Sequence, residues 1–422
     1  MIVEFNVSNF RSIFKKQTFS MVASVSKGLE NNICNSDCDD KLPLVRAAVL
    51  YGANASGKSN LLSALLLMRK LIISSAKESQ QGEVIPVDGF FFNKKNRNKP
   101  CEFEVTFIKD KTRFQYGFSA NKKQILEEWL FAYPLGKAQK WFSRVYDSKE
   151  GNFNWNFSKF FKGNKQRVIE LTRDNVLFLS NAVKLNNEQL FPVFEWFQKD
   201  LILLDPLHGT GLNNQSSSTM LLKTEENKKR LLKFMQAADP SIIDINVEKI
   251  KPDEEELHFP DSMPKEVRDF FTKEFANQER ARINFIHIGN IPIDLREESD
   301  GTLRLLAYAG RWIDALDNGR TIVVDELDNS LHPLLVRALI KLICNPETNK
   351  KNAQLIFSTH DTSLLDNELF RRDQIWFVEK DEINSTQLHP LLEFSPRKHE
   401  AFGKGYLQGR YGALPYIGEW KF

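Results

Sequence analysis

Cysteine is scarce in this 422-residue chain: Cys34, Cys38, Cys101 and Cys344 are the whole set. Thiols at such irregular spacings form no disulfide framework, and Cys34 with Cys38 has neither a second pair nor a nearby histidine to complete a zinc site. Reduced thiols in a cytoplasmic protein are the expectation. Charge of one sign is lacking too, since 58 Lys and Arg face 55 Asp and Glu for a net +3. No overall basic excess points to nucleic acid, although a local basic groove is compatible with that balance. No apolar run reaches the roughly 20 residues of a membrane span, so no membrane association is expected. The opening MIVEFNVSNF alternates like a strand and lacks the basic start and apolar core of a signal peptide. Sustained heptads are missing as well, which excludes a long coiled coil. What remains is an ordinary globular composition, 41% hydrophobic and 27% charged, with length for about two or three domains.

The most informative stretch is YGANASGKSNL, residues 51–61. Gly52, Gly57, Lys58 and Ser59 satisfy G-x-x-x-x-G-K-[ST]. An apolar run from Val45 to Tyr51 precedes the loop as a buried strand, and Leu61, Leu62, Ala64, Leu65 and Met68 follow at helical spacing. Strand, glycine loop and helix together form the context in which backbone N–H groups and a helix N-terminus cradle phosphate. The nucleotide-binding set is therefore Gly52, Asn54, Ala55, Ser56, Gly57, Lys58, Ser59 and Asn60. Lys58 is expected to reach the β- and γ-phosphates of ATP, and the Ser59 hydroxyl to ligate Mg²⁺.

Around this loop the chain reads in order. Ile2–Val7 is a strand, Phe14–Val25 a second strand region, and 26–43 a polar loop. After a helix over 60–73, the polar stretch 74–83 is expected to be a mobile loop. Residues 101–133 alternate as a hairpin that turns at Lys109-Asp110-Lys111, and 141–146 continues the antiparallel pattern. The aromatics of 141–161 read as packed core. From 167 to 240 the apolar period becomes helical, with a flexible loop at 209–219. Lys228, Lys229, Arg230 and Lys233 read as a solvated helix face. Asp253–Glu256 is an acidic turn without ligand-like spacing. A buried parallel-sheet style returns only after about 284.

Three further stretches carry chemistry. Ile322, Val323 and Val324 form a fully apolar strand ending in Asp325 and Glu326, which suits a metal site followed by a base. Asp325 is expected in the Mg²⁺ shell, and Glu326 is placed to polarise a water for attack on the γ-phosphate. Leu355-Ile-Phe-Ser-Thr is another buried strand, and it delivers His360 as a candidate partner of the γ-phosphate. Glu298-Ser299-Asp300-Gly301-Thr302-Leu303-Arg304 opens a helix with a serine and a glycine, an anion-binding end.

The order NFRS, phosphate loop, SDGTLR, VVDELDNSLHP and STHD resembles the ABC-type ATPases of the SMC, RecF and OLD group. It looks closest to the RloA-like ATPases of bacterial abortive infection and phage defence. ELDNSLHPLLVRALI, STHDTSLL, RRDQIWFVEKD and YLQGRYGALP extend the resemblance over essentially the whole chain, with the strongest motifs at both ends. It implies an α/β fold, a P-loop NTPase of ABC-ATPase-head type with two lobes. The expected parts are 1–166 with the phosphate loop and an antiparallel β region, a mainly helical insertion over 167–290, and 291–422 with the remaining ATP motifs. The resemblance also implies a homodimer or higher homo-oligomer with shared nucleotide sites. Ser299, Gly301 and Arg304 would act as the signature from the facing subunit, Asp328 and Ser330 as its D-loop, and Arg11 as a nucleotide contact.

The pattern departs from the family in places. Asp300-Gly301 stands where transporter-type signatures have two glycines, and no Q-loop glutamine can be placed. About sixty residues follow His360, too few for an appended nuclease domain of ordinary size. A separately encoded effector, nuclease or toxin, is therefore expected. The function expected is a Mg²⁺-dependent ATPase switch in anti-phage defence. The alternative is a RecF- or SMC-like ATPase that binds DNA in repair or maintenance; a transporter subunit would be shorter and would carry a clear Q-loop.

Overall fold

The computed structural model describes residues 1–25, 28–36, 38, 42–204, 218, 220–250, 263–265, 267–268, 280–396 and 400–416. The expected acidic turn 253–256 lies outside the described residues, as does the expected 209–219 loop apart from Ser218. The chain forms two compact units: Met1–Pro206 with Ile313–Phe422, and Leu207–Trp312.

The first unit begins with strands β1 (Ile2–Ser8), β2 (Gln17–Ser20), β3 (Ile33–Asn35), β4 (Pro43–Val45) and β5 (Ala47–Tyr51), then helix α1 (Lys58–Glu78). A meander follows: β6 (Cys101–Lys109), β7 (Thr112–Ala120), β8 (Ile125–Tyr133), β9 (Gln139–Asp147) and β10 (Asn152–Phe157). Helices α2 (Lys165–Glu170), α3 (Phe178–Lys184) and α4 (Phe191–Glu195) lead to β11 (Leu201–Leu204). The second unit holds α5 (Glu225–Gln236), the antiparallel strands β12 (Ile242–Ile250), β13 (Arg280–His287) and β14 (Ile291–Asp294), and the start of α6 (Asp300–Asn318). The first unit resumes with β15 (Thr321–Val324), α7 (Pro333–Cys344), β16 (Gln354–Ser358), β17 (Ile375–Lys380), β18 (Thr386–Pro390) and α8 (Phe402–Leu407).

Two sheets build the first unit. One is antiparallel in the order β10-β9-β8-β7-β6-β1-β2; the other is β11-β15-β16-β5-β17-β18, parallel from β11 to β17. The parallel strands are buried on both faces, which is why their sequences are continuous apolar runs with no alternation. The meander alternates as expected, and the hairpin between β6 and β7 turns on Asp110 and Lys111, both at positive φ. One buried side chain ties the two sheets together. Gln354 accepts the Ile2 N–H at 2.7 Å and donates to Ile2 O at 3.1 Å and Val45 O at 3.3 Å.

Several expectations need correction. The helix after the phosphate loop runs to Glu78, so the expected mobile stretch begins as helix: Ser75 and Ala76 are buried, and Lys184 Nζ holds the Ala76 carbonyl at 2.6 Å. α1 is also the one described helix long and apolar enough to cross a membrane, but half of its apolar window is buried inside this unit. The polar loop expected over 26–43 holds the short strand β3, which pairs with β4 from Pro43 onward, and the second strand region shrinks to β2.

The mainly helical insertion over 167–290 also gives way. The helical period around 178–197 is present, but Leu177, Phe178, Leu179, Ala182, Val193 and Phe197 sink into the core of the first unit. A buried ion pair fixes that placement: Arg144 and Glu128, both fully buried, meet at 2.8 Å. Glu128 also accepts the N–H groups that open α3, at 2.8 Å from Phe178 and 3.0 Å from Leu179. β11 extends the parallel sheet well before residue 284, and within the expected insertion the described residues 242–250 and 280–287 are strand, paired with each other. A helical period in short segments does not reveal which core receives it.

Candidate functional site

The phosphate loop leaves the C-terminal end of β5 and closes onto α1. Gly52 and Gly57 stand where a side chain cannot. A Cβ on Gly52 would lie 2.2 Å from the Val378 carbonyl oxygen, and Gly57, at φ +112°, would place one 2.1 Å from Thr386 Oγ1. Gly57 is the residue before the helix, and no side chain caps its N-terminus. The first N–H groups of a 21-residue helix thus open toward the loop, an arrangement suited to anions. The buried Ser56 hydroxyl has no hydrogen-bond partner among the described residues, and Ala55 holds a positive φ of 63°. Asn54, Ala55 and Ser59 are exposed.

Lys58 folds back over its own loop, donating to Gly52 O at 2.6 Å and Ala53 O at 3.1 Å. Burial pushes its pKa below the usual lysine value, opposed by the fields of Asp325, Glu326 and Asp328. A cation held against desolvation by backbone carbonyls and acids has an evident use for further negative charge.

The acidic turn follows β15. Register aligns Val324 with Phe357 on β16 and Phe357 with Val49 on β5. By that register the three strands end within two residues of one another, and across the sheet Asp325 lies two strand spacings, about 10 Å, from the strand that leads into the phosphate loop. Ser358, fully buried, organises the turn: its hydroxyl donates to the Asp325 carboxylate and accepts the Glu326 N–H at 2.8 Å. Its carbonyl accepts the Leu327 N–H at 3.0 Å. Glu326 takes a left-handed φ of 53°, a conformation that costs on the order of 1 kcal/mol and turns it away from the strand line. His360, exposed, donates its backbone N–H to Asp328 Oδ2 at 3.3 Å, while Asp328 Oδ1 has no partner among the described residues. Ser330 is exposed, at φ +60°.

The NFRS turn reaches the same loop. Asn60 Nδ2 donates to Ser12 Oγ at 2.7 Å, Ser12 Oγ and Thr386 Oγ1 share a hydrogen bond of 2.8 Å, and Thr386 Oγ1 reaches Ser56 O at 2.8 Å. The Arg11 guanidinium lies 5.2 Å from the Phe10 ring, and its backbone is at φ +46°. Asn60, expected to contact nucleotide, spends its side-chain amide on Ser12. Ser12, Ser358 and Thr386 carry positioning work that pattern reading did not assign. The first two sit inside quoted motifs, whereas Thr386 lies 330 residues from Ser56 along the chain and meets it only in space.

Ser299, Gly301 and Arg304 belong to the second unit. Ser299 caps α6, its hydroxyl accepting the Thr302 N–H at 3.1 Å. Ser299 is exposed, Gly301 is half-buried, and Arg304 is buried with its Nε unpartnered among the described residues.

The residues fit Mg²⁺ with a nucleotide. Among the described residues no three His, Cys, Asp or Glu side chains form a metal cluster. Magnesium normally takes one or two protein oxygens and completes its shell with phosphate and water. Ser59 and Asp325 supply that number.

The family model described as "AAA domain, putative AbiEii toxin, Type IV TA system" (AAA_21) matches residues 47–366, from the first residue of β5 past His360. The chain belongs to the AAA_21 family. Its phosphate loop, acidic turn and His360 all lie inside the matched span, and the AAA_21 chain carries an ATPase-type P-loop domain. No curated protein matches it by sequence. Solved structures similar to it include an SMC head bound to the C-winged helix domain of ScpA, 11% identical with a TM-score of 0.43, covering 92% of this chain and 96% of that one. The SMC head domain from Thermotoga maritima is 11% identical with a TM-score of 0.40, covering 92% and 98%. An SMC head with an extended coiled coil, bound to the C-terminal domain of ScpA and derived from Pyrococcus furiosus, is 12% identical with a TM-score of 0.40, covering 93% and 97%.

Proposed function

We propose that this AAA_21 protein is a Mg²⁺-dependent ATPase that works as a conformational switch in bacterial anti-phage defence. The alignment of the β5, β16 and β15 ends carries the reading, because it gathers the phosphate loop, Asp325, Glu326 and His360 at one edge of one sheet. Lys58 and the α1 N-terminus hold the phosphates, and Ser59 and Asp325 hold the metal. Bound Mg²⁺ supplies neutralisation of the charge that builds on the transferring phosphoryl group. Glu326 orients and polarises the attacking water, and His360 contacts the γ-phosphate end. Arg11 contributes a further nucleotide contact.

Two copies share each nucleotide. Ser299, Gly301 and Arg304 of the facing copy close over the γ-phosphate, and Asp328 and Ser330 line the seam between copies. The exposure of Ser299 at a capped helix opening supports this role. ATP favours the joined state by its differential affinity for that state, and hydrolysis releases it. The family description, with its toxin and type IV toxin–antitoxin context, supports an effector encoded on a separate chain. The test is Glu326→Gln. This variant is expected to bind ATP, accumulate as a homodimer in size-exclusion chromatography with light scattering, and turn over at least about 100-fold more slowly. Turnover at the parent rate would remove Glu326 from its role, and a nucleotide-independent monomer would remove the shared site.

A further inference from the structure

Residues 88–100 read DGFFFNKKNRNKP, and between Gly89 and Cys101 there is no acidic residue. Lys94, Lys95, Arg97 and Lys99 are all exposed. The same loop shows solvent the rings of Phe91 and Phe92, 39% and 56% exposed, while Phe90 is buried with its ring 5.1 Å from that of Phe14. The turn after β7 adds Lys122 and Lys123, and the two segments enclose a cleft of about 460 Å³ lined in part by Arg97, Asn98, Lys99, Asn121 and these two lysines. Asp88 stands beside them, paired with Lys122 at 3.0 Å.

This loop is built with unusual firmness for an exposed, basic segment. Asn9 Nδ2 donates to the carbonyls of Asn96, Lys99 and Pro100 at 3.0–3.1 Å, and Asn9 Oδ1 accepts the Phe90 N–H at 3.2 Å. The Arg11 backbone donates to Asp88 O and accepts from Phe91 N, each at 2.8 Å. Arg97 Nε is fixed on the Phe91 carbonyl at 3.0 Å, which uses one of the five N–H groups of its guanidinium. A Cβ on Gly89 would sit 2.6 Å from Asn96 O, so the loop closes too tightly for any other residue. Charges present only for solubility would need no such frame.

We propose that this loop and cleft bind an unpaired nucleic-acid strand, the cations meeting successive phosphates and the Phe91 and Phe92 rings taking bases. Cations set along a groove track a phosphate backbone, and exposed rings stack on bases of any sequence. A duplex keeps its base faces stacked inside, and a run of acidic side chains offers no aromatic faces for two rings to stack on. The Asn9–Ser12 turn that frames the loop also bonds Asn60 and Thr386 beside the phosphate loop. Strand binding and nucleotide binding therefore meet at opposite ends of one short turn.

The test needs only the full chain. Fluorescence anisotropy of labelled oligothymidylate, and of a duplex of equal length, is measured across a salt series. The parent chain should bind the single strand more tightly than the duplex. K94Q/K95Q/R97Q/K99Q should flatten the slope of log affinity against log salt by about 3, at about 0.7 for each phosphate that no longer meets a cation. F91A/F92A should weaken the single strand by about 10-fold or more and leave duplex binding unchanged. Both variants should keep the parent melting temperature, which marks them as folded. An unchanged salt slope in the charge variant, equal binding by F91A/F92A, preference for duplex, or competition by polyglutamate as effective as by oligothymidylate would each overturn the proposal. None of these readouts depends on ATP hydrolysis, so the ATPase reading and this one fail separately.

Discussion

Ser358→Ala is the sharpest test of how the acidic turn is held. The serine is fully buried and makes one bond to the Glu326 N–H, at 2.8 Å, and one to the Asp325 carboxylate. Alanine keeps the backbone and removes both. The bond to the amide is neutral and worth about 1 kcal/mol, whereas the bond to the carboxylate is charge-assisted and worth about 2 kcal/mol. Together the loss is about 3 kcal/mol, centred on a turn whose Glu326 already sits at positive φ. Differential scanning fluorimetry without nucleotide should show a fall of about 3 to 5 °C. Steady-state ATPase assays should show kcat falling by about 10- to 100-fold, because Glu326 and Asp325 lose their aim. The KM for ATP should move by less than about threefold, since the phosphate loop hangs from β5 and α1. Unchanged melting together with unchanged kcat would refute the reasoning, because a buried hydroxyl between these two acids would then be energetically idle.

Gly57→Ala should destabilise the fold by about 2 kcal/mol or more, since its φ is +112° and the new Cβ would meet Thr386 Oγ1 at 2.1 Å. Thr386→Ala in the same chain should recover only part of the loss in chemical denaturation, because the backbone strain stays. Lys58→Met should abolish the ATP-dependent rise in melting temperature. Because burial lowers the Lys58 pKa, the folded state binds that proton more weakly than the unfolded chain does. The Lys58 contribution to stability therefore rises with pH toward the unfolded value of 10.5, and the parent-minus-variant difference should rise with it. Burial pushes the Cys101 and Cys344 thiols from 9.0 up to about 12. Both should resist alkylation at pH 8 until the protein unfolds. Above pH 9 each should withdraw about 1.4 kcal/mol of stability per pH unit, because only the unfolded thiols ionise there. A parent chain that loses no more stability than C101A/C344A in that range would contradict the burial.

Local chemistry is legible in the amino-acid order wherever one segment carries its own constraints. The strand–glycine–helix succession around Gly52–Ser59, the apolar run ending at Asp325 and the alternation of the meander follow from backbone sterics and side-chain period. What those patterns could not contain is which distant segments share a core. Helical spacing over 178–197 reads the same whether the apolar face covers a separate domain or, as found, the sheet that Glu128 and Arg144 anchor. Leu201–Leu204 is too short a run to announce its place beside β15. Ser12, Thr386 and Ser358 became parts of the site only when strands far apart in the chain ended at one level. Residue order alone specifies the phosphate loop and its acids. What holds them in place came from the packed fold, because a hydrogen bond between remote residues depends on sheet order and leaves no periodic trace along the chain.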